Sequence, residues 1–309
     1  MDKVGSSFNS DELAAQALAG GGPRGDGIEN QITDQHRHFF AQLPYLFVGV
    51  TDAAGWPIAT LLTGAPGFVQ SPEASSLRIA ALPHSDDPAE QAFAPEREIG
   101  ILGIDLATRR RNRANGRVVT RDLGGIEVAV KQSFGNCPQY IQRRIVSSGP
   151  IDAAGGAPSA TEAFTHLDGA ARSLIERADT FFVASRSRDG SGSAHGADIS
   201  HRGGRPGFIR VDGDALTIPD FRGNHYFNTL GNFIAEPRAS LLFVDFETGD
   251  LLQLQGIAQV NWHAAADFTG AERLWTFQAA RGWRRSTAAT LRWQFVDYSR
   301  VTAATGVWH

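Results

Sequence analysis

The sequence predicts a mainly β protein built as two tandem barrels, and three observations carry that prediction. The chain repeats itself, each repeat reads as short strands separated by turns, and a Gly/Pro/Ala-rich stretch lies between the repeats. At a constant shift of 140, Leu102 meets Leu242, Asp105 meets Asp245, Thr108 meets Thr248 and Gly116 meets Gly256. The same shift pairs Pro66-Gly67-Phe68 with Pro206-Gly207-Phe208, and with small gaps "LFVGVTDAAG" (46–55) lies against "FFVASRSRDG" (181–190). Identities in one order and at one spacing mark an internal duplication.

Within the first repeat, residues 46–51, 57–63, 66–70, 77–82, 99–105 and 117–130 are rich in Val, Ile, Leu and Phe and bounded by turn residues. The second repeat supplies 180–186, 194–199, 207–211, 214–219, 239–245 and 250–261. Asp52-Ala53-Ala54-Gly55 and Arg188-Asp189-Gly190 have the chemistry of hairpin turns. Helices are expected at 31–42 and 161–178, one before each barrel, and at 268–283. The expected organisation is a loosely ordered segment at 1–30 with a short helix at 10–19, a first barrel at 31–148, a linker at 149–161 and a second barrel at 162–309.

With 309 residues, 42% of them hydrophobic, the chain can bury a sizeable core. A formal charge of −4 and a pI near 6.1 argue against nucleic acid or an anionic membrane surface as the main partner. A single cysteine, Cys137, forms no internal disulfide and fits a reducing compartment. No apolar run approaches the roughly 20 residues of a membrane span, and the N-terminus lacks a signal-peptide core, so a soluble cytoplasmic protein is expected. No HExxH motif or Cys/His grouping predicts a metal site.

The repeats diverge after one strand. The second has "TIPDFRGNHYFNTLGNFIAEP" (217–237), a strand end followed by a short polar loop and a helix-like run, where the first has "ALPHSDDPAEQAFAPEREIG". A helix start carries unpaired N–H groups and the positive end of the dipole, and phosphate binds there readily. Gly223 allows close approach, while Arg222, Asn224 and His225 donate hydrogen bonds. Asp86 and Asp87 in the matching region of the first repeat would repel phosphate. The plainer reading is a strand-to-helix turn with Asn224 as N-cap and Arg222 in solvent. "ADISHRGGRPGF" (197–208) adds Ser200, His201, Arg202 and two glycines at another strand end of the same repeat, which suggests two sides of one anionic site.

Together, "DISHRGGRPGF", "LTIPDFRGN" and "LLFVDF" resemble the pyridoxamine 5′-phosphate oxidase-related superfamily of FMN-binding split barrels, in its "probable FMN-dependent enzyme" branch, over most of 175–262. The first repeat resembles the N-terminal segment of longer flavin-linked proteins. The resemblance implies two tandem split barrels forming a pseudo-dimer, with one FMN per chain held between them. Ser200, His201, Arg202, Ile218, Pro219, Asp220, Arg222, Asn224 and His225 are the implied cofactor residues, with Asn136, Cys137 and Gln139 near the flavin ring and Gln253 at a flavin edge. It further implies an FMN-dependent oxidoreductase acting on a small-molecule substrate or oxygen. NAD(P)H or a separate ferredoxin-reductase-like donor would reduce the flavin. No catalytic residue is named, and pyridoxamine phosphate oxidation itself is not expected from "LRWQFVDYSRVTAATGVWH". Two chains can still pair as a homodimer through outer barrel faces. The rival readings are a non-catalytic flavin carrier or sensor, and a haem-binding split barrel with His263 or His309 as axial ligand.

Two further stretches stay open. "SFGNCPQYIQRR" (133–144) is either the flavin-covering segment or a tight turn with Pro138 starting a helix. Cys137 within it reads more readily as an inert thiol than as a nucleophile. "TRRRNRANGR" (108–117) puts Arg109, Arg111 and Arg113 on one strand face, either as a solvated charged edge or as a binding face for NAD(P)H phosphates or an acidic partner.

Overall fold

The computed structural model describes residues 7–148, 160–190, 192–263 and 268–308. Two sheets of one design dominate. The first joins β1 (Tyr45–Thr51), β2 (Pro57–Thr63), β3 (Val69–Gln70), β4 (Ser76–Ile79), β5 (Glu98–Asp105), β6 (Arg110–Asp122) and β7 (Gly125–Asn136) in the order β2-β1-β5-β6-β7-β4-β3. After β8 (Arg143–Ser148) and the short β9 (Glu162–Phe164), the second joins β10 (Thr180–Arg186), β11 (Ala197–Gly203), β12 (Arg210–Asp212), β13 (Ala215–Phe221), β14 (Arg238–Val244), β15 (Leu251–Asn261) and β16 (Ala271–Arg285). Its order, β11-β10-β14-β15-β16-β13-β12, repeats the first strand for strand, and β9 adds to β16. Even a bulge recurs: the β6–β7 register shifts between Asn115 and Gly116, and the β15–β16 register between Gln255 and Gly256. An irregularity conserved across the shift of 140 is a designed feature of the duplicated unit. The chain is thus two tandem split β-barrels forming a pseudo-dimer, with flanking helices.

Each barrel has its own apolar core, one around Phe93, Ile101 and Val128 and the other around Phe181, Leu241 and Trp275. A third cluster joins the barrels through Phe47, Leu102, Phe182, Ile199 and Leu242. Phe47 and Phe182, each the third residue of its barrel's first strand, stack at 3.4 Å between centroids and 14° between planes. Gly100 on β5 lets the barrels close up, since a Cβ there would lie 2.8 Å from the Asp198 backbone. Beyond the barrels, β8 pairs with β17 (Arg292–Asp297) as a two-stranded ribbon, and α5 (Arg300–Ala303) follows.

Several expectations need correction. The helix expected at 268–283 is β16, whose alternating buried and exposed residues have period two; apolar residues dense enough to mimic a helical stripe here face two sides of a sheet. The strand expected at 117–130 straddles the turn between β6 and β7. There Asp122 Oδ1 accepts from Gly124 N–H at 2.7 Å, and Leu123 stands in solvent. The helices before the barrels are shorter than expected, α2 (Asp34–Gln42) and α3 (Gly169–Arg177), capped by Thr33 and Asp168. At the N-terminus, α1 (Ser10–Leu18) falls where a short helix is expected, with Asp11, Glu12, Ala15 and Gln16 buried, while residues 20–24 are exposed. Asn9 and Glu12 form a reciprocal capping box, Phe8 meets the Tyr226 ring at 5.3 Å, and Glu29 pairs with Ser133. Most of the expected linker, 149–159, lies outside the described residues, as does His309. No helix among the described residues is long and apolar enough to cross a membrane.

Candidate functional site

The site lies where β6, β7 and the following turn of the first barrel meet β11, β13 and α4 (Asn228–Ala235) of the second. Its deepest layer is anchored by Arg113. On central strand β6 the alternation of side chains turns Arg111 and Arg113 toward the other barrel. Arg113 Nη1 donates to Asp198 Oδ1 and Oδ2 at 3.0 and 3.2 Å, and Nη2 donates to Ser200 Oγ at 2.5 Å. Ser200 Oγ also meets Thr229 Oγ1 at 2.7 Å, in the first turn of α4. Asn228 accepts from Arg113 and donates to Glu12 of α1. That helix contact is close because residue 231 is glycine; a Cβ there would sit 2.7 Å from Glu12 Cα. Burial, with Asp198 nearby, pushes the Glu12 carboxyl up to about 7.

Above this layer the cavity is cationic. Arg111 Nε donates to Cys137 O at 3.0 Å and Nη1 to His201 Nδ1 at 3.2 Å; no carboxylate pairs with it among the described residues. Burial therefore draws its guanidinium down to about 10. His201 is buried beside Arg111 and Arg202, which holds it well below the usual imidazole range and so neutral. Because Nδ1 accepts from Arg111, the proton sits on Nε2, which has no partner among the described residues. Arg202 and Arg273 share the single carboxylate of Asp220, and Arg273 stacks over Phe227 at 4.8 Å. Four arginines (111, 113, 202 and 273) thus face three carboxylates, Asp198, Asp220 and Glu272, the last meeting Arg273 at 3.1 Å.

The rim is strained. Tyr140, His225 and Phe227 all adopt left-handed φ angles near 60°, an uncommon conformation for bulky residues that clusters at functional sites. The Tyr140 ring stacks on Phe221 at 5.0 Å. The cavity encloses about 100 Å³. Whole-ligand pockets run to roughly 300–1,000 Å³, so it suits the anionic end of a ligand whose remainder lies along the cleft.

Ser200, His201, Arg202, Pro219, Asp220, Asn224, His225, Asn136, Cys137 and Gln139 all line this one cavity. Ile218 does not; it is fully buried in the second barrel's core because its side chain points inward from β13. Arg222 projects into solvent outside the lining. Gln253 sits elsewhere, fully buried, donating to Ala59 O at 2.9 Å and Asp87 Oδ1 at 3.1 Å. Asn224 does not cap the helix: its Oδ1 accepts from Tyr226 N–H at 3.2 Å, and α4 starts at Asn228 behind Phe227 with no side-chain cap. No helix starts at Pro138. His263 is in an exposed turn outside the cavity lining. Among the described residues no group of three or more His, Cys, Asp or Glu is placed to hold a metal ion.

The sequence reading missed Arg273, Tyr140, Thr229, Asn228 and Glu12. It also left Arg111 and Arg113 undecided between a charged edge and a binding face. The repeat held the missing signal for the pair, since a shift of 140 sets Arg113 on Gln253.

Gln253 belongs to the pseudo-symmetric counterpart of this site. The β6–β7 register sets Arg111 opposite Asn136 and Arg113 opposite Phe134; β15–β16 sets Leu251 opposite Arg285 and Gln253 opposite Trp283. In the counterpart, Thr60 replaces Ser200, Gln253 replaces Arg113, and a buried Asp87 takes their hydrogen bonds.

Residues 167–288 match the family model described as Pyridoxamine 5′-phosphate oxidase. No curated protein matches the chain. Similar solved structures include HupZ of Group A Streptococcus (13% identity; 38% of this chain and 93% of that one; TM-score 0.31). Others are an FAD-binding protein from Mesorhizobium loti (11%; 41% and 97%; 0.27) and a general stress protein 26-related protein of the pyridoxinephosphate oxidase family from Clostridium acetobutylicum (12%; 41% and 92%; 0.26). Likenesses at these scores carry no functional weight. The family match thus falls on the second barrel, whose strand order the first barrel repeats.

Proposed function

We propose that the cavity between the barrels binds one FMN per chain and that the protein is an FMN-dependent oxidoreductase. The observation that carries this reading is an under-compensated cationic cavity with free buried donors. Arg111 has only neutral acceptors, and His201 Nε2 and the Nε atoms of Arg113 and Arg202 lack partners among the described residues. Buried donors without acceptors are costly, and an oxyanion supplies acceptors and charge together. Arg111, Arg202 and His201 would take the phosphate, with His225 and Asn224 at the mouth. Asn136, Cys137 and Gln139 would lie along the exposed part of the ligand. Bound flavin supplies two-electron transfer between a reductant and an acceptor; the protein's own residues bind it, orient it and cover it from the first barrel. NAD(P)H or a ferredoxin-reductase-like protein is the donor class proposed, and a small molecule or oxygen the acceptor. A homodimer and a cytoplasmic location remain part of the proposal.

The test is the visible spectrum of the purified protein, with mass spectrometry of any released ligand and an FMN titration. One FMN per chain is expected. Arg111→Ala should weaken binding by roughly 10- to 100-fold, the worth of one charge-assisted contact. Failure to bind FMN after reconstitution would sink the reading. Binding without reduction by NADH, NADPH or a reductase would favour a carrier or sensor.

A further inference from the structure

We propose that Cys137 is an oxidant-sensitive thiol: peroxide converts it to a sulfenate that pairs with Arg111 and closes the cavity to an anionic ligand. Cys137 directly follows β7, lines the cavity and is half-buried. The β6–β7 register sets Arg111 opposite Asn136, which brings the guanidinium beside the next residue. Arg111 Nε donates to Cys137 O at 3.0 Å, and its Nη2 lies 4.0 Å from Cys137 Sγ. Among the described residues that sulfur is the only partner of Nη2, and no carboxylate pairs with Arg111. Reactive thiols sit in electropositive, partly exposed places, whereas thiols buried in apolar surroundings are inert. By itself the stretch 133–144 reads as the second kind; the strand register makes it the first.

A second feature points to an anionic oxygen in this cavity. His201 is 5% exposed and lines it, and its Nε2 has no acceptor among the described residues. In the reduced state the Cys137 thiol donates to Gln139 Oε1 at 3.7 Å, a neutral partner. Oxidation adds the negatively charged oxygen that Arg111 lacks. In that step the thiolate sulfur attacks one oxygen of hydrogen peroxide. An S–O bond forms, the O–O bond breaks, and the leaving hydroxide takes the sulfenic proton as water. Sulfur gives up two electrons and the peroxide gains them; a thiol reductant reverses the change. Cys137 is the only cysteine of the chain, so no internal disulfide follows. The oxidation stands on Cys137 and Arg111 themselves, while the exclusion of ligand rests on the anion-binding reading of the cavity.

The experiment treats the full-length protein, freed of ligand, with hydrogen peroxide and traps sulfenate with dimedone. Intact mass then reads the adduct, and with one cysteine every adduct reports on Cys137. The folded wild type should form it several-fold faster than the same chain in urea, and Arg111→Met should lose that advantage. A folded wild type no faster than the unfolded chain, or an undiminished rate in Arg111→Met, would overturn the proposal. Should Arg111→Met fail to fold, the comparison of folded with unfolded wild type decides the oxidation. FMN is then titrated into reduced and peroxide-treated protein. Affinity should fall by roughly tenfold or more on oxidation, the worth of one charge-assisted contact, and return with dithiothreitol; Cys137→Ser should show no response to peroxide. Unchanged affinity after oxidation would overturn the exclusion. Absence of FMN binding to the reduced protein would sink the FMN reading instead, and inorganic phosphate would take the place of FMN in the same comparison, where equal or absent binding overturns the exclusion.

Discussion

The two halves of this molecule share strand order and bulge position, yet their equivalent interfacial sites differ in charge. In the first-barrel site a carboxylate, Asp87, sits among four donors. In the second-barrel site the donors outnumber the acids, and arginines stand at the positions of Gln253 and Leu251. The scaffold sets where a site can exist, between central strands of facing sheets. A few side chains decide whether it is sealed or keeps a cavity.

The comparison can be broken most sharply at the pseudo-equivalent pair Arg113 and Gln253. Arg113→Ala leaves the buried Asp198 carboxylate unpaired, and breaking such a pair costs about 3–5 kcal/mol. Denaturant titration should show that loss, together with loss of FMN binding.

Among the described residues Glu12 has no counterpart in the first-barrel site, and it predicts a pH dependence. Its folded pKa is raised to about 7 from 4.5, so the folded state holds the proton more tightly than the unfolded chain does. That contribution is fully present below about 4.5 and is lost as pH rises through 7. A shift of this size corresponds to on the order of 3 kcal/mol. Glu12→Gln should flatten the stability profile between pH 5 and pH 8, as followed by urea midpoints; an unchanged slope would remove Glu12 from the account.

Gln253→Ala is the smallest of the set. It deletes hydrogen bonds to Ala59 O and Asp87 and should cost about 1–3 kcal/mol. It should leave FMN affinity within a factor of about two, because it lies in the other site; a near-complete loss of flavin would mean that the two sites are coupled.

Much of the fold was legible because duplication and strand punctuation are written in local order: the shift of 140, the turn residues, and the alternation of apolar side chains. The exceptions were local ambiguities. The run 268–283 has apolar residues close enough together to read at either period, and pairing with β13 and β15 settles it as a strand. The second-barrel side of the cavity was legible in "SHR" and "PDFRGNH", since polar residues at strand ends signal a site. Ile218 and Arg222 belonged to the same motif, and their side chains point into the core and into solvent.

The sequence by itself determined the duplication, the β class and the polarity of one strand-to-helix loop, because those follow from near neighbours and periodicity. Only the tertiary structure decided that Arg111 and Arg113 face inward across the barrel interface rather than lining a solvated edge, that Glu12 reaches Asn228 from more than two hundred residues away, and that Asp87 meets Thr60, Gln253 and Arg285. Each depends on which strand lies opposite which, and burial between two packed sheets turns a charge from a solubility device into a ligand or a lock.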